Sequence, residues 1–240
     1  MLVKTQAICL KSFLYKESST IVSLLTEECG LRSFIITGGR KPSSKVKSSY
    51  FQPLQILEIV MYDNPKTTLN KIKECNILSN NLNINSSMIK ISLSMFLTEV
   101  LLLSLKENNP NKEVFTFTKD CINYLNATTD DSFLRDFHIY FLYHLASYLG
   151  FDPMNNYCLE TPLFDIQKGT FVSSIDSTTL DSKTSLLLHN FLSNISFDYN
   201  VFTQNATERR DLLSFFIRFF EEHITSSRHI QSSQILHTIF

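Results

Sequence analysis

A change in the spacing of apolar residues near position 80 limits the fold of this chain more than any other feature. Before that point, apolar residues occur in five short runs rich in β-branched and aromatic side chains, with glycines and the segment 63–66 between them. Five short strands in about 75 residues predict a small barrel, either an OB-fold or an SH3-like barrel. The five runs are TQAICLKSFLY, STIVSLLTEE, LRSFIITGG, LQILEIVMY and TLNKIKECNIL.

After residue 85 the spacing becomes helical. SSMIKISLSMFLTEVLLLSLK begins with serines that can cap a helix, and it is apolar around most of its circumference, as a central core helix is. A second helix is predicted in KEVFTFTKDCINYLNA. A third is predicted in DDSFLRDFHIYFLYHLASYLGFDP, with Asp131 or Ser132 as its cap and Gly150 as its stop. Two later amphipathic helices are predicted in SKTSLLLHNFLSN and ATERRDLLSFFIRFFEEHI.

Between residues 154 and 176, LFDIQKGTFVSS predicts a small hairpin that turns at Lys168 and Gly169. The predicted fold class is therefore α+β. It consists of a five-stranded β-barrel domain over residues 1–80 and an α-helical domain over residues 81–240 that contains the hairpin.

The two predicted domains carry opposite charge. Residues 1–80 hold 11 Lys and Arg against 6 Asp and Glu, a net charge of +5, whereas residues 81–240 have a net charge of −6. The overall charge of −1 conceals this difference. A basic first domain indicates a polyanionic partner.

The densest group of cations lies in GGRKPSSKVK, residues 38–47, which contains Arg40, Lys41, Lys45 and Lys47 and no acidic residue. Gly, Pro and Ser occupy most positions between them, so these side chains are expected at the surface. Loops beside one sheet face of an OB-fold form a groove that follows a nucleic-acid backbone. The alternative is a solvated loop that protects a sheet edge. The neighbouring basic residues are Arg32, Lys66, Lys71 and Lys73.

The same region contains aromatic residues that can stack on bases or, equally, fill the barrel core. Nothing in the sequence indicates that particular bases are read. The aromatic residues are Phe13, Tyr15, Phe34, Tyr50, Phe51 and Tyr62.

Motifs of the common enzyme classes, GxxxxGK[ST], GxGxxG, GxSxG and HExxH, are absent from the sequence. The five cysteines are widely separated and form no CxxC pair, which is typical of reduced thiols in a cytosolic protein. The most apolar window, residues 88–106, contains Lys90 and Glu99 and is predicted to be a core helix rather than a membrane span. We expect a cytoplasmic protein without catalytic activity, cofactor or membrane segment.

The order of several short motifs resembles the RecO family of bacterial recombinational-repair proteins, and its Bacteroidetes members most closely. The shared N-terminal pattern is Y-x-E-x-S-x-I-V at 15–22, T-E-E-x-G at 26–30, G-G-R-K at 38–41 and F-Q-P-L at 51–54. The resemblance continues through FLTEVLLLSLKENNPN, FHIYFLYHLASYLGFDP and LFDIQKGTFV to RRDLLSFFIRFFEEHI, and so covers nearly the whole chain.

This resemblance implies an OB-fold on a helical domain, in a protein that binds single- and double-stranded DNA and anneals complementary strands. It implies action with RecR, and often RecF, in loading RecA onto strands coated by single-stranded-DNA-binding protein (SSB). It further implies contact with the acidic, apolar C-terminal tail of SSB. Arg209 and Arg210, at the start of a predicted helix, could receive the carboxylates of that tail, or could be a solvated cap. The implied DNA-binding residues are Arg32, Arg40, Lys41, Lys45 and Lys47, with Lys66, Lys71 and Lys73 as further candidates.

One departure from the family concerns metal binding. Many RecO proteins carry four cysteines that bind zinc after the G-F-x-P turn, but this chain has only Cys158 there. Because one thiol cannot supply four tetrahedral ligands, we predict no zinc and a hairpin held by Leu163, Phe164 and Phe171. Two rival functions are a protein-binding adaptor whose barrel docks an acidic partner, and a hydrolase, for which no paired nucleophile and base are found.

Overall fold

The computed structural model describes residues 1–41, 43–64, 67–79, 81–129, 131–195, 203, 205–224 and 229–239. The chain forms two compact units, Met1–Thr128 and Thr129–Phe240. Within the described ranges, no helix has the length and apolar character needed to cross a bilayer.

The first unit contains a five-stranded sheet that closes into a barrel. Its strands are β1 (Leu2–Tyr15), β2 (Ser19–Thr26), β3 (Gly30–Thr37), β4 (Ile56–Tyr62) and β5 (Lys71–Ile77), in the order β3-β2-β1-β4-β5. Neighbouring strands are antiparallel. Phe34 forms a parallel bridge with Asn70, just before β5, and the Ile35 N–H donates to the Asn70 carbonyl at 3.0 Å. This closure gives the strand arrangement of an OB-fold, which confirms the predicted fold class.

Alternation along the strands produces the barrel core. Side chains at every second position point inward, so the β-branched and aromatic residues that favour strands also exclude water from the interior. A bulge between Cys9 and Lys11 shifts this alternation in β1. The buried core residues include Ala7, Cys9, Val22, Leu24, Phe34, Ile36, Phe51, Leu57, Ile59 and Met61.

Three helices complete the first unit: α1 (Leu82–Asn85), α2 (Met88–Ser104) and α3 (Lys112–Ala127). The Asn108 N–H donates to the Leu31 carbonyl at 3.1 Å, and the Lys119 ammonium donates to Gln6 Oε1 at 3.0 Å. These contacts join the helical segment to the barrel. The first compact unit therefore ends at Thr128. The domain boundary that the sequence predicts at residue 80, from the change of secondary structure, stays a prediction.

The second unit contains α4 (Asp131–Leu134), α5 (Phe137–Leu149), β6 (Leu163–Asp165), β7 (Thr170–Val172), α6 (Ser182–Asn194), α7 (Ala206–His223) and α8 (Ser233–Ile239). The third predicted helix is divided into α4 and α5, so its main part begins at Phe137 rather than after Asp131 or Ser132. It ends at Gly150, as predicted, with a positive φ of 82°. The sequence analysis did not predict α8.

The predicted hairpin is present as β6 and β7, and its turn ends at Gly169. The rings of Phe164 and Phe171 meet edge to face with centroids 5.0 Å apart, and Phe164 also contacts Phe215 of α7 at 5.3 Å. Aromatic packing therefore holds the hairpin, as expected. Across the described residues, no group of three or more His, Cys, Asp or Glu is placed to hold a metal ion. The absence of zinc stays a prediction.

Candidate nucleic-acid interface

The basic loop, residues 38–47, begins directly after β3 with two glycines that have different structural roles. Gly38 has a φ of +70°, and its N–H donates to the carbonyl of Ser18 at 2.8 Å. A Cβ on Gly39 would lie 2.5 Å from Ser48 Oγ and 2.8 Å from Ile36 Cγ2, so any other residue at this position would force neighbouring atoms to move. The N–H of Ser48 donates back to the Gly39 carbonyl at 3.0 Å and closes the loop.

Val46 anchors the loop to the barrel. Its side chain is only 9% exposed and belongs to the barrel core, whereas Lys45 and Lys47 on either side are exposed. The Ser44 hydroxyl donates to the Val46 carbonyl at 2.8 Å and fixes the same segment. The loop is thus attached to the barrel close to its C-terminal end, and the buried Val46 keeps the lysines on either side of it in solvent.

Arg40 and Lys41 lie at the first turn of the loop, and both are exposed. A guanidinium N–H of Arg40 donates to the carbonyl of Glu17, which lies in the turn between β1 and β2. Together with the bond between Gly38 and Ser18, this contact holds the basic loop against the tip of that hairpin. In the described part of the chain, Arg40, Lys41, Lys45 and Lys47 form no ion pair with a carboxylate.

Lys71 and Lys73 are exposed on β5. Because β3 and β5 run parallel from the bridge between Phe34 and Asn70, β5 heads toward the end of the barrel at which the basic loop begins. Lys73 lies at a bulge, and its ammonium is 3.4 Å from the carboxylate of Glu74, which partly neutralises it. Lys66 lies outside the described residues.

Arg32 differs from the other predicted DNA-binding residues because it is 7% exposed. Its Nε donates to the Cys29 carbonyl at 3.2 Å, and its Nη2 donates to Asp63 Oδ1 at 3.2 Å. Arg32 lies two residues before Phe34 and shares the inward face of β3 with it. Its guanidinium therefore bonds within the barrel and is not part of a solvent-facing surface. The sequence grouped Arg32 with the loop cations because it too lies in the basic region.

The two arginines proposed to receive an SSB tail occupy different environments. Arg210 is exposed on α7, but Arg209 is 9% exposed and its Nε donates to Asp136 Oδ1 at 3.0 Å. The backbone N–H of Thr203 donates to the other carboxylate oxygen of Asp136 at 2.9 Å. Arg209 is therefore engaged inside the second unit, in contrast to the solvent-facing position that the sequence suggested.

The aromatic residues divide clearly between core and surface. Phe34 and Phe51 are buried in the barrel, and Tyr50 packs against the core. Phe13 and Tyr15 remain exposed on β1, by 44% and 37%, and Tyr62 is exposed at the end of β4.

Two further cations, which the sequence analysis did not single out, lie beside the exposed rings of β1. The ammonium of Lys11 is 5.8 Å from the ring centroid of Phe13, and that of Lys16 is 5.4 Å from the ring centroid of Tyr15. The sequence KSFLYK could have indicated this grouping, because Lys11, Phe13 and Tyr15 are alternate residues of one strand and therefore share a face.

This surface therefore combines exposed cations, which can neutralise phosphates, with exposed rings. The loop and the hairpin tip are joined by direct hydrogen bonds. Such an arrangement can hold a flexible polyanion without reading its sequence, because ammonium and guanidinium groups contact phosphates of any nucleotide.

Comparison with known proteins gives a consistent result over the whole chain. The family described as Recombination protein O N terminal matches residues 1–81, and the family described as Recombination protein O C terminal matches residues 85–231. The chain is 32% identical over 243 residues to the DNA repair protein RecO of Flavobacterium johnsoniae, with all of both chains covered. It is 30% identical to that of Christiangramia forsetii and 29% identical to that of Bacteroides fragilis, again over both full lengths.

Proposed function

Because the chain belongs to the RecO family of DNA repair proteins, we propose that it is a non-catalytic mediator of recombination that binds and anneals DNA strands. The observation that carries this proposal is the set of exposed cations on the basic loop, which are free of carboxylate partners among the described residues. The proposed DNA-binding residues are Arg40, Lys41, Lys45 and Lys47, with Lys66, Lys71 and Lys73 as flanking contributors.

The proposed mechanism is neutralisation of phosphate charge. Each phosphate that pairs with a Lys or Arg releases condensed counterions, which favours binding and makes it strongly dependent on salt. Two complementary strands repel each other through their phosphates, so a protein that neutralises both lowers the barrier to their pairing. No catalytic group is required for this activity.

The proposal includes transfer of the strand to other proteins. The family relationship supports a role in which this protein, together with RecR, helps to load RecA onto single-stranded DNA coated by SSB. Contact with the acidic C-terminal tail of SSB requires exposed cations, and Arg210 meets that requirement. Arg209 is left out because Asp136 already occupies its guanidinium.

The experiment that tests DNA binding is fluorescence anisotropy of a labelled oligonucleotide, titrated with protein at several salt concentrations. We expect the logarithm of the association constant to fall linearly with the logarithm of salt concentration. Lys45→Glu combined with Lys47→Glu should weaken binding at least ten-fold and lower the salt slope by about 1 to 2, since each phosphate contact contributes about 0.7 on single strands.

A matched control reverses two exposed charges that do not belong to the basic loop. Lys106 and Lys183 are exposed, and Lys106 adjoins Glu107, which bridges to Leu31 at the opposite end of β3 from the basic loop. Lys106→Glu with Lys183→Glu should therefore leave affinity within about two-fold. If both pairs of substitutions weakened binding equally, the effect would come from net charge and not from the basic loop. If the protein did not bind DNA even at low salt, an adaptor that docks an acidic protein would be favoured.

A further inference from the structure

The exposed rings of β1 belong to a continuous face on the outside of the barrel. The strand register aligns Phe13 with Ile21 and Ile21 with Ile35, so these three side chains form one row across β1, β2 and β3. Tyr15 begins the neighbouring row. Ile21 and Ile35 are half-buried, which leaves Phe13 and Tyr15 standing above a partly apolar surface.

The charges beside this face determine which ligand suits it. Lys11 lies over the ring of Phe13 and Lys16 over the ring of Tyr15, so a cation borders the two rings on each side along β1. An apolar protein partner would have to bury these ammonium groups at a cost in desolvation free energy. A nucleic-acid strand instead brings phosphates for the ammonium groups and flat bases for the rings.

The face also meets the basic loop directly. Glu17 and Ser18, in the turn that follows Tyr15, accept hydrogen bonds from Arg40 and Gly38 of the basic loop. A strand that crosses the hairpin tip can therefore contact both surfaces without interruption.

We propose that Phe13 and Tyr15 are a stacking platform for unpaired bases of single-stranded DNA, while the basic loop holds the phosphates. This inference rests on the proposed function and adds a preference for strand type. In a duplex, the base faces are already covered by neighbouring bases, so the platform can act only on unpaired bases. The basic loop, which contacts phosphates, acts on both forms.

The test is a thermodynamic cycle on the full chain. Phe13→Ala with Tyr15→Ala is titrated, by anisotropy at fixed salt, against an ordinary single strand, a single strand of equal length with abasic sites, and a duplex. We expect the double substitution to weaken binding to the ordinary single strand about ten-fold or more, because stacking on an aromatic ring contributes strongly for each base. Binding to the abasic strand and to the duplex should change less than about two-fold.

Three results would overturn the inference: an equal loss on ordinary and abasic strands, no loss on either, or a dimer of this chain that the double substitution dissociates. The charge-reversed loop variant separates this failure from failure of the proposed function. If Lys45→Glu with Lys47→Glu still weakens binding to the abasic strand, the phosphate-binding role stands although the platform is disproved. If the wild-type chain binds none of the three oligonucleotides, both proposals fail.

A second measurement does not depend on the stability of the alanine variant. The chain contains no Trp, so Phe13→Trp introduces a single reporter on the platform, and Leu14→Trp introduces one on the opposite face of the same strand. We expect single-stranded DNA to quench the fluorescence of the Phe13→Trp protein strongly and that of the Leu14→Trp protein weakly. Equal quenching at both positions would contradict stacking at Phe13.

Discussion

Nε of Arg209 lies 3.0 Å from Oδ1 of Asp136, and both side chains are almost fully buried in the second unit. Asp136 precedes the first residue of α5, and Arg209 lies in the first turn of α7. The ion pair therefore joins the starts of two helices that contact each other within this unit. The backbone N–H of Thr203 completes the arrangement by donating to Asp136.

Substitution of Arg209 should lower the stability of the fold itself and should not act by weakening the binding of a partner protein. We expect Arg209→Ala to lower the free energy of unfolding by about 3–5 kcal/mol, because it leaves the Asp136 carboxylate buried without its counter-charge. Urea denaturation measures this loss. Arg210→Ala, the adjacent exposed control, should change stability by less than about 0.5 kcal/mol. Similar small effects for both variants would contradict a structural role for Arg209.

The sequence could not distinguish Arg209 from Arg210, because both begin the same predicted helix and have the same local signals. Arg209 is buried and Arg210 is exposed because only Arg209 lies on the side of α7 that faces Asp136, a residue distant along the chain. The same limit applies to Arg32 of β3, whose partner Asp63 lies 31 residues further on, directly after β4. By contrast, the five strands, the Gly150 stop and the hairpin follow from local alternation and turn residues, and all were predicted.

The candidate site could be predicted from the sequence to about the same extent as the fold. Cations separated by Gly, Pro and Ser correctly indicated exposed side chains, since nothing nearby could bury them. The anchoring of the basic loop by Val46 was not predicted, because a single apolar residue between two lysines gives no periodic signal. Likewise, only the position of the bulge in β1 decides that Phe13 and Tyr15 face outward while Ala7 and Cys9 fill the core.

The close passage of the chain at Gly39 can be tested with one methyl group. Gly39→Ala would place its Cβ 2.5 Å from Ser48 Oγ and 3.0 Å from Ser48 N, so backbone as well as side-chain atoms must move. We expect thermal denaturation to show a loss of about 1–3 kcal/mol, as for other overpacked sites. The displaced loop should also bind single-stranded DNA more weakly at fixed salt.

Gly150→Ala is the control for this prediction. Its Cβ meets no atom within 4 Å, although φ is +82°, so it tests conformational strain without crowding and without displacing the basic loop. It should cost about 1 kcal/mol in stability and leave DNA affinity unchanged. An unchanged affinity for Gly39→Ala as well would show that the exact path of the loop is unimportant for binding.

The thiols should separate into one reactive and four protected groups. Cys158 is exposed, whereas the other four cysteines are buried. Burial raises the pKa of Cys9 to about 12 and that of Cys75 to about 12, which suppresses the thiolate form that reacts. A chromogenic disulfide reagent at pH 8 should therefore titrate one thiol rapidly in the native protein and five in denaturant. Cys158→Ser should remove the rapid phase, and a second rapid thiol would contradict the burial of the other four cysteines.

Asp165 gives the hairpin a dependence on pH. Burial raises the pKa of its carboxyl group, but hydrogen bonds from Lys168 and Thr178 outweigh that effect, and the pKa lies below its ordinary value. The backbone N–H groups of Gln167 and Lys168 donate to Oδ1 at 3.0 Å, and the Lys168 ammonium is 3.1 Å from Oδ2. The ionised carboxylate thus stabilises the turn between β6 and β7.

A depressed pKa stabilises the fold above the ordinary value for Asp, near 3.9, and this contribution is lost as the pH falls through the lower value of the folded state. We expect Asp165→Asn to reduce the free energy of unfolding by about 1–2 kcal/mol at pH 7, since the amide keeps an acceptor but loses the charge. The difference from wild type should begin to shrink as the pH falls below about 4, where the carboxylate of the unfolded chain is protonated, and it should be lost as the pH falls through the lower pKa of the folded state. Urea denaturation from pH 7 to pH 3 measures it, with exposed Asp120→Asn as the control. A difference that stayed constant across this range would mean that the charge of Asp165 does not contribute to stability.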